Sequence, residues 1–133
     1  MTDDCVFCKI IRKEIKTDKI IYENDNFLSI PDANPKVNGH SLVISKKHFE
    51  TILDMPNSLG PELLDCIKKT AFKLMEEYGA EGFNVINNNF EVAGQVVKHV
   101  HFHLIPRKKN DGELNLLNEV FFEFFIHMKI NYY

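Results

Sequence analysis

The chain has 133 residues, 44% hydrophobic and 26% charged, with 16 Lys and Arg against 19 Asp and Glu for a net charge of −3. This balance suits one globular domain over 1–133 with a single apolar core, and it excludes the basic field that a nucleic-acid polymer would need. No run of about 18 apolar residues occurs, and the start MTDDCVFCKI has no apolar stretch behind a basic end, so no membrane span or secretory signal is expected and the location read is cytoplasmic.

In chain order, Ile10, Ile11 and Ile15 near helical spacing predict a short helix over 8–16. Cys5 and Cys8 form a Cys-x-x-Cys pair at its start. With Cys66 they make three cysteines, an odd count that argues against a disulfide framework in a reducing compartment. Strands are predicted at 19–23 and 27–30, joined by the turn residues Asn24, Asp25 and Asn26. A loop rich in Pro and Gly follows over 31–39, then a buried strand at 40–45.

Leu59, Leu63, Ile67, Phe72, Leu74, Met75 and Tyr78 recur with a helical period and predict a helix over 59–78. Asn57 or Ser58 is expected to cap its start, Pro61 to occupy its first turn and Gly79 to end it, with Cys66 a small core residue beside the stripe. A strand at 82–87, a polar loop at 88–94 and a strand at 96–106, ended by Pro106, complete the pattern. Strands with two helices and no regular βαβ alternation indicate an α+β fold around an antiparallel sheet.

The segment His99-Val100-His101-Phe102-His103-Leu104 carries the chemistry. In a strand, alternate side chains share a face about 6.6 Å apart. Three imidazoles on one face are hard to explain as core packing, because each buried ring needs partners. Two readings stay open from the segment alone: catalysis, with a neutral imidazole as nucleophile and a neighbour as acid, or a His₃ metal site. Upstream, Gly94 in Ala93-Gly94-Gln95 has no Cβ to obstruct a close backbone approach to a phosphate.

Several spaced motifs together resemble the histidine-triad (HIT) family, most nearly its HINT and bacterial HIT hydrolase branch. HVHFHLI is similar to the family's H-x-H-x-H-x-x; IPDANPKVNGHSLVISKKH is similar to its D-x-x-P-x-x-x-G-H-x-L-V-I-P-K-x-H region; CVFCKIIRKEI, GFNVINNN and AGQVVK fall in the same order as its other motifs. The resemblance covers the core 5–107 and leaves 108–133 as a divergent apolar tail.

The resemblance implies a HIT-like fold: about five antiparallel strands and two helices, joined across a homodimer. It implies cleavage of adenosine 5′-phosphoramidates or diadenosine polyphosphates at the α-phosphate through a nucleotidyl-histidine on His101. His103 would contact the phosphate or bridging atom, His99 would support the nucleophile partly through its carbonyl, and His40 would pack close by. Asp32 would bind the ribose of a purine nucleotide, Phe7, Ile10 and Ile30 would line the base pocket, and Asn88, Gly94, Gln95 and Val97 would surround the phosphate. A structural zinc on Cys5, Cys8, His48 and His99 is implied too, with no metal needed for the chemical step. The reading from another class is a nucleotide-binding, zinc-stabilised adaptor without turnover.

Some positions depart from the family pattern. Val96 stands where Ser or Thr is common, Phe90 and Asn89 stand in a loop where glycine is common, and Ser45 replaces a common proline. Phe102 occupies the place of the proline in the H-x-H-P-H of the galactose-1-phosphate uridylyltransferase branch, which argues against that branch. In the tail, 114–133 is rich in Phe, Leu and Ile and fits a buried helix or strand, packed on the core or across a dimer interface; His127 is read as incidental.

Overall fold

The computed structural model describes residues 4–111, so the expectations for the tail beyond Asp111, including its role in packing or dimerisation, lie outside the described residues. Five strands form one antiparallel sheet: β1 (Tyr22–Glu23), β2 (Phe27–Pro31), β3 (Ser41–Ser45), β4 (Gly82–Ile86) and β5 (His101–Arg107), in the order β1-β2-β3-β5-β4. Two helices flank it, α1 (Val6–Ile11) and α2 (Gly60–Tyr78). This is the α+β architecture expected. No helix among the described residues is long and apolar enough to cross a membrane.

The sheet is covered on both faces. On one, Phe27, Val43, Phe102 and Leu104 pack with Cys66, Ala71 and Leu74 of α2. On the other, Leu28, Ile30, Leu42 and Ile44 pack with Cys5, Phe7 and Cys8 around α1. His101 pairs with Ile44 and His103 with Leu42, so both histidines belong to the α1 face.

The expected helix over 8–16 is displaced toward the N-terminus. Cys5 caps α1, its Sγ accepting the Cys8 N–H, while Lys13 adopts φ 65° and stops the helix near Arg12. In α2 the expected side-chain cap is absent. Asn57 and Ser58 form a 3₁₀ turn with Leu59, which occupies the N-cap position without a side-chain bond. Gly79 ends the helix at φ 66°, as expected of a residue with no Cβ. Phe72 was expected on the apolar stripe but is 68% exposed. The residues facing the sheet include Cys66, Thr70, Ala71 and Leu74, and a position two residues from Thr70 points roughly the opposite way.

β5 is shorter at its start than the expected 96–106 strand. Residues 95–100 place hydrogen bonds outside the sheet ladder: Gln95 N–H on the Phe90 carbonyl, His99 N–H on Val97, Val100 N–H on Phe49. Pro106, expected to end the strand, lies inside it opposite Phe83. Strand alternation therefore governs His101 and His103, while His99 reaches the site from the loop before β5. β1 also begins later than expected, at Tyr22, and β3 begins after His40, at Ser41.

Candidate active site and metal centre

His101 is 6% exposed, and its Nδ1 lies 2.7 Å from the His99 carbonyl. A carbonyl can only accept, so Nδ1 carries the proton and Nε2 keeps its lone pair in the neutral ring. Burial pushes the His101 pKa below its ordinary value, opposed by the His99 carbonyl and the charge of Asp32. The ring is therefore neutral near pH 7 with a defined tautomer, the state a nucleophilic imidazole needs. Asn87 donates its side-chain N–H to the His101 carbonyl at 2.9 Å, and Asn89 donates to Asn87.

A second imidazole pair stands beside it. The Lys36 N–H donates to His40 Nδ1 at 3.0 Å, which places the His40 proton on Nε2. That nitrogen is 3.0 Å from His103 Nδ1. Two protons cannot share so short a gap, so His103 Nδ1 accepts and the neutral His103 ring carries its proton on Nε2. Asp32 Oδ2 lies 3.3 Å from His40 Nε2 and 3.7 Å from His103 Nδ1, close enough to stabilise a positive charge on either ring. Asp32 Oδ1 accepts the Asn34 N–H, and the Asp32 N–H donates to the His40 carbonyl, which closes the loop between β2 and β3. Gly39 lets that loop press against the protein: at φ 91°, a Cβ would come within 2.7 Å of Tyr78.

A cavity of about 440 Å³ adjoins this pair, its wall including Phe7, Ile10, Ile30, Asp32 and His40. The structure thus brings together the residues that the family resemblance implies for a base and ribose pocket. Phe7 is also edge-on to His101, with ring centres 5.1 Å apart. The other assigned residues lie outside that wall. Gly94 is in the left-handed region at φ 102°, and Val97 is buried against the α1 face. Gln95 is 3% exposed; its Oε1 accepts the Phe90 N–H, and its Nε2 donates to the carbonyls of Glu50 and Val97. Its side chain therefore acts within the protein, bracing the loop that Asn88 and Gly94 belong to. Phe90 in that loop has φ 72° and ψ 156°, a conformation suited to glycine.

The second centre gathers Cys5, Cys8, His48 and His99, whose ligand atoms lie within 4.8 Å of one another. Cys5 Sγ is 3.3 Å from His99 Nδ1, Cys8 Sγ is 3.3 Å from His48 Nδ1 and 3.6 Å from His99 Nδ1, and the two Nδ1 atoms are 3.2 Å apart. Around a tetrahedral zinc, bonds of about 2.3 Å to sulfur and about 2.0 Å to nitrogen set S···N near 3.5 Å and N···N near 3.3 Å. The donor spacing fits. The proton position fits as well: His99 Nε2 donates to the Ser45 carbonyl at 2.7 Å, leaving the Nδ1 lone pair toward the sulfurs. Burial pushes the His99 pKa down to about 4, against the opposing Ser45 carbonyl, so the ring is neutral as a ligand must be. Burial also lowers the His48 pKa.

Three contributors escaped the sequence reading: Ser45 through its carbonyl, Lys36 through its N–H and Asn87 through its amide. Two of the three act through the backbone, which no side-chain motif encodes. For Asn87 the run Asn87-Asn88-Asn89 offered a signal without a choice among its members.

A HIT domain family model matches residues 12–110. Among curated proteins, the chain is 45% identical over 116 residues to an uncharacterized HIT-like protein of Methanocaldococcus jannaschii, covering 87% of this chain and 88% of that one. It is 41% identical to adenylylsulfatase HINT3 of Arabidopsis thaliana, covering 84% of this chain but only 56% of that protein's length. It is also 41% identical to adenosine 5′-monophosphoramidase HNT1 of Candida albicans, covering 78% of this chain and 70% of that one. Among solved structures, a Zn-bound histidine triad family protein from Mycobacterium smegmatis superposes with a TM-score of 0.77 at 28% identity, covering 97% of this chain and 98% of that one.

Proposed function

This chain belongs to the HIT family, and we propose that it is a hydrolase that releases AMP from adenosine 5′-phosphoramidates through a nucleotidyl-histidine on His101, with diadenosine polyphosphates as the alternative substrate class. The observation that carries the reading is the hydrogen bond from His101 Nδ1–H to the His99 carbonyl, which leaves Nε2 as a neutral nucleophile.

In this reading Nε2 attacks the α-phosphorus, the P–N bond to the amine breaks, and the amine leaves with a proton. His103 Nε2–H is the donor of that proton, with Asp32 and His40 setting its tautomer. Water then attacks the nucleotidyl-histidine and returns a proton to His103 Nε2 as the P–N bond to His101 breaks, which releases AMP and restores both imidazoles. Phe7, Ile10 and Ile30 hold the purine and Asp32 the ribose, while Asn88, Gly94, Gln95 and Val97 form the phosphate surroundings, with Gln95 acting by bracing its loop. The phosphoramidase name of the Candida relative supports the substrate class.

Cys5, Cys8, His48 and His99 hold a structural zinc in the same reading, supported by the donor spacing and by the Zn-bound relative. A homodimer belongs to it as well: among the described residues β4 lies at an edge of the sheet, with Phe83 41% and Val85 43% exposed, which suits burial against a second copy. So does a cytoplasmic location, where the thiols of Cys5 and Cys8 stay reduced.

Intact-mass spectrometry during reaction with adenosine 5′-phosphoramidate tests the chemistry. A transient adduct of one AMP with release of free AMP, both absent in His101→Ala, is the expected result. Folded protein that binds AMP yet forms neither adduct nor product from this compound or from diadenosine polyphosphates would replace the hydrolase with a nucleotide-binding adaptor.

A further inference from the structure

Residue 99 takes part in two sites at once. Its imidazole Nδ1 lies among the sulfurs of Cys5 and Cys8, while its carbonyl accepts the proton-bearing Nδ1 of His101. The ring is held on its far side by the Ser45 carbonyl at 2.7 Å, so imidazole and carbonyl have little freedom to move separately. A second connection runs through α1. Cys5 caps that helix, Cys8 lies within it, and Phe7 between them is edge-on to His99 at 5.7 Å and to His101 at 5.1 Å. Phe7 and Ile10 of α1 also form part of the cavity wall. The helix has only six residues, too short to hold its place by its own hydrogen bonds. Its fixed points are the core packing of Phe7 and Cys8 and the cluster to which its two cysteines belong.

We infer that the Cys5–Cys8–His48–His99 cluster is a positioning device for catalysis, in which the bound metal fixes the His101 tautomer through the His99 carbonyl and fixes the nucleotide cavity through Phe7. His48 is the informative positioning residue. It sits after β3, and its imidazole lies within the cluster, 3.2 Å from His99 and 3.3 Å from Cys8. Metal loss therefore has two consequences with different signatures. Release of the His99 carbonyl lets the His101 proton redistribute between Nδ1 and Nε2 and lowers kcat. Release of α1 loosens the Phe7 wall and weakens nucleotide binding.

The test uses the full chain loaded with zinc, the same chain stripped with a chelator, and the variants His48→Ala and His48→Cys. Cys₃His is itself a zinc ligand set, so the second variant restores the donor count. The readouts are the ¹⁵N shifts of the His101 ring, which report its tautomer, and AMP affinity by calorimetry. Steady-state kcat and KM for adenosine 5′-phosphoramidate are added. In the stripped chain and in His48→Ala, the His101 shifts should move toward a tautomer mixture and AMP affinity should fall about fivefold or more. Zinc-loaded His48→Cys should recover both. Unchanged His101 shifts and AMP affinity within twofold in a folded, metal-free chain would overturn the inference. Should the stripped chain unfold, cadmium-loaded protein serves in its place: the larger ion should shift the His101 signals, and superimposable spectra would count against the coupling. Only the kinetic arm rests on the proposed hydrolase. Metal-dependent shifts and affinity without turnover would sustain this inference while removing that function.

Discussion

Two clusters flank His101, and each contains two histidines. Cys5, Cys8, His48 and His99 lie on one side; Asp32, His40 and His103 lie on the other, and both bring their donor atoms within 4.8 Å. Spacing alone would pass either as a metal site. The hydrogen bonds separate them. His99 donates its Nε2 proton outward to Ser45, so its Nδ1 lone pair faces the cysteines. His40 accepts the Lys36 N–H on Nδ1, so its Nε2 is protonated and faces His103 with a proton in place of a lone pair. A metal there would have to displace that proton and turn His40 into an imidazolate or break the bond to Lys36. In one cluster a histidine turns a lone pair inward, as a cation would need, and in the other a histidine turns a proton inward, and a backbone group decides which.

The largest effect should come from the metal side. We expect native protein to carry one zinc per chain, and Cys5→Ser/Cys8→Ser to carry none, with a fall in Tm of roughly 10 °C or more. Elemental analysis and calorimetry with excess zinc check both halves of the comparison. A second tight equivalent in the double mutant, lost on Asp32→Asn, would show that the proton side also takes metal and would erase the distinction.

On the proton side, His40→Ala should lower kcat by about 10²-fold, because His103 loses the donor that fixes its proton on Nε2. His40→Gln can still offer an N–H to His103 and should recover part of the rate. Zinc content should be unchanged in both variants, since His40 has no part in the four-ligand cluster. Steady-state kinetics beside metal analysis reads this directly, and a rate loss accompanied by zinc loss would mean the two sides are not separate.

The sequence discloses these two sides unequally. Every ligand of the metal cluster and every member of the proton cluster is named by the resemblance to the HIT family, because side chains are what a motif records. The sheet and α2 are legible for a similar reason, since apolar alternation and the period of Leu63, Ile67 and Leu74 reflect which face is buried. The choice between cation and proton rests on the Ser45 carbonyl and the Lys36 N–H, which any residue supplies. The same blindness explains the misplaced start of β5. Residues 96–100 are rich in Val, as a strand is, yet the ladder begins at His101 because the Val100 N–H goes to Phe49. α1 shifts because a cysteine caps it, a role that composition does not suggest for Cys5.

Cys66 supplies the smallest effect and the internal control. It is a third thiol, fully buried on the α2 face of the sheet, whereas the cluster and His101 lie on the α1 face. Burial pushes its pKa up to about 11, with Thr70 and Ser29 hydrogen bonds opposing. At pH 8 it is a thiol and not a thiolate, so iodoacetamide should leave it unmodified in the native chain while labelling it after unfolding. Cys66→Ala removes one buried heavy atom and should cost about 1 kcal/mol of stability, with zinc content and kcat unchanged. The comparison gains its force here: if thiol content alone governed metal binding, all three cysteines would matter, whereas the geometry restricts it to the two whose sulfurs meet His48 and His99. Loss of zinc in Cys66→Ala, with the fold intact by circular dichroism, would mean that the α2 layer supports the metal centre across the sheet.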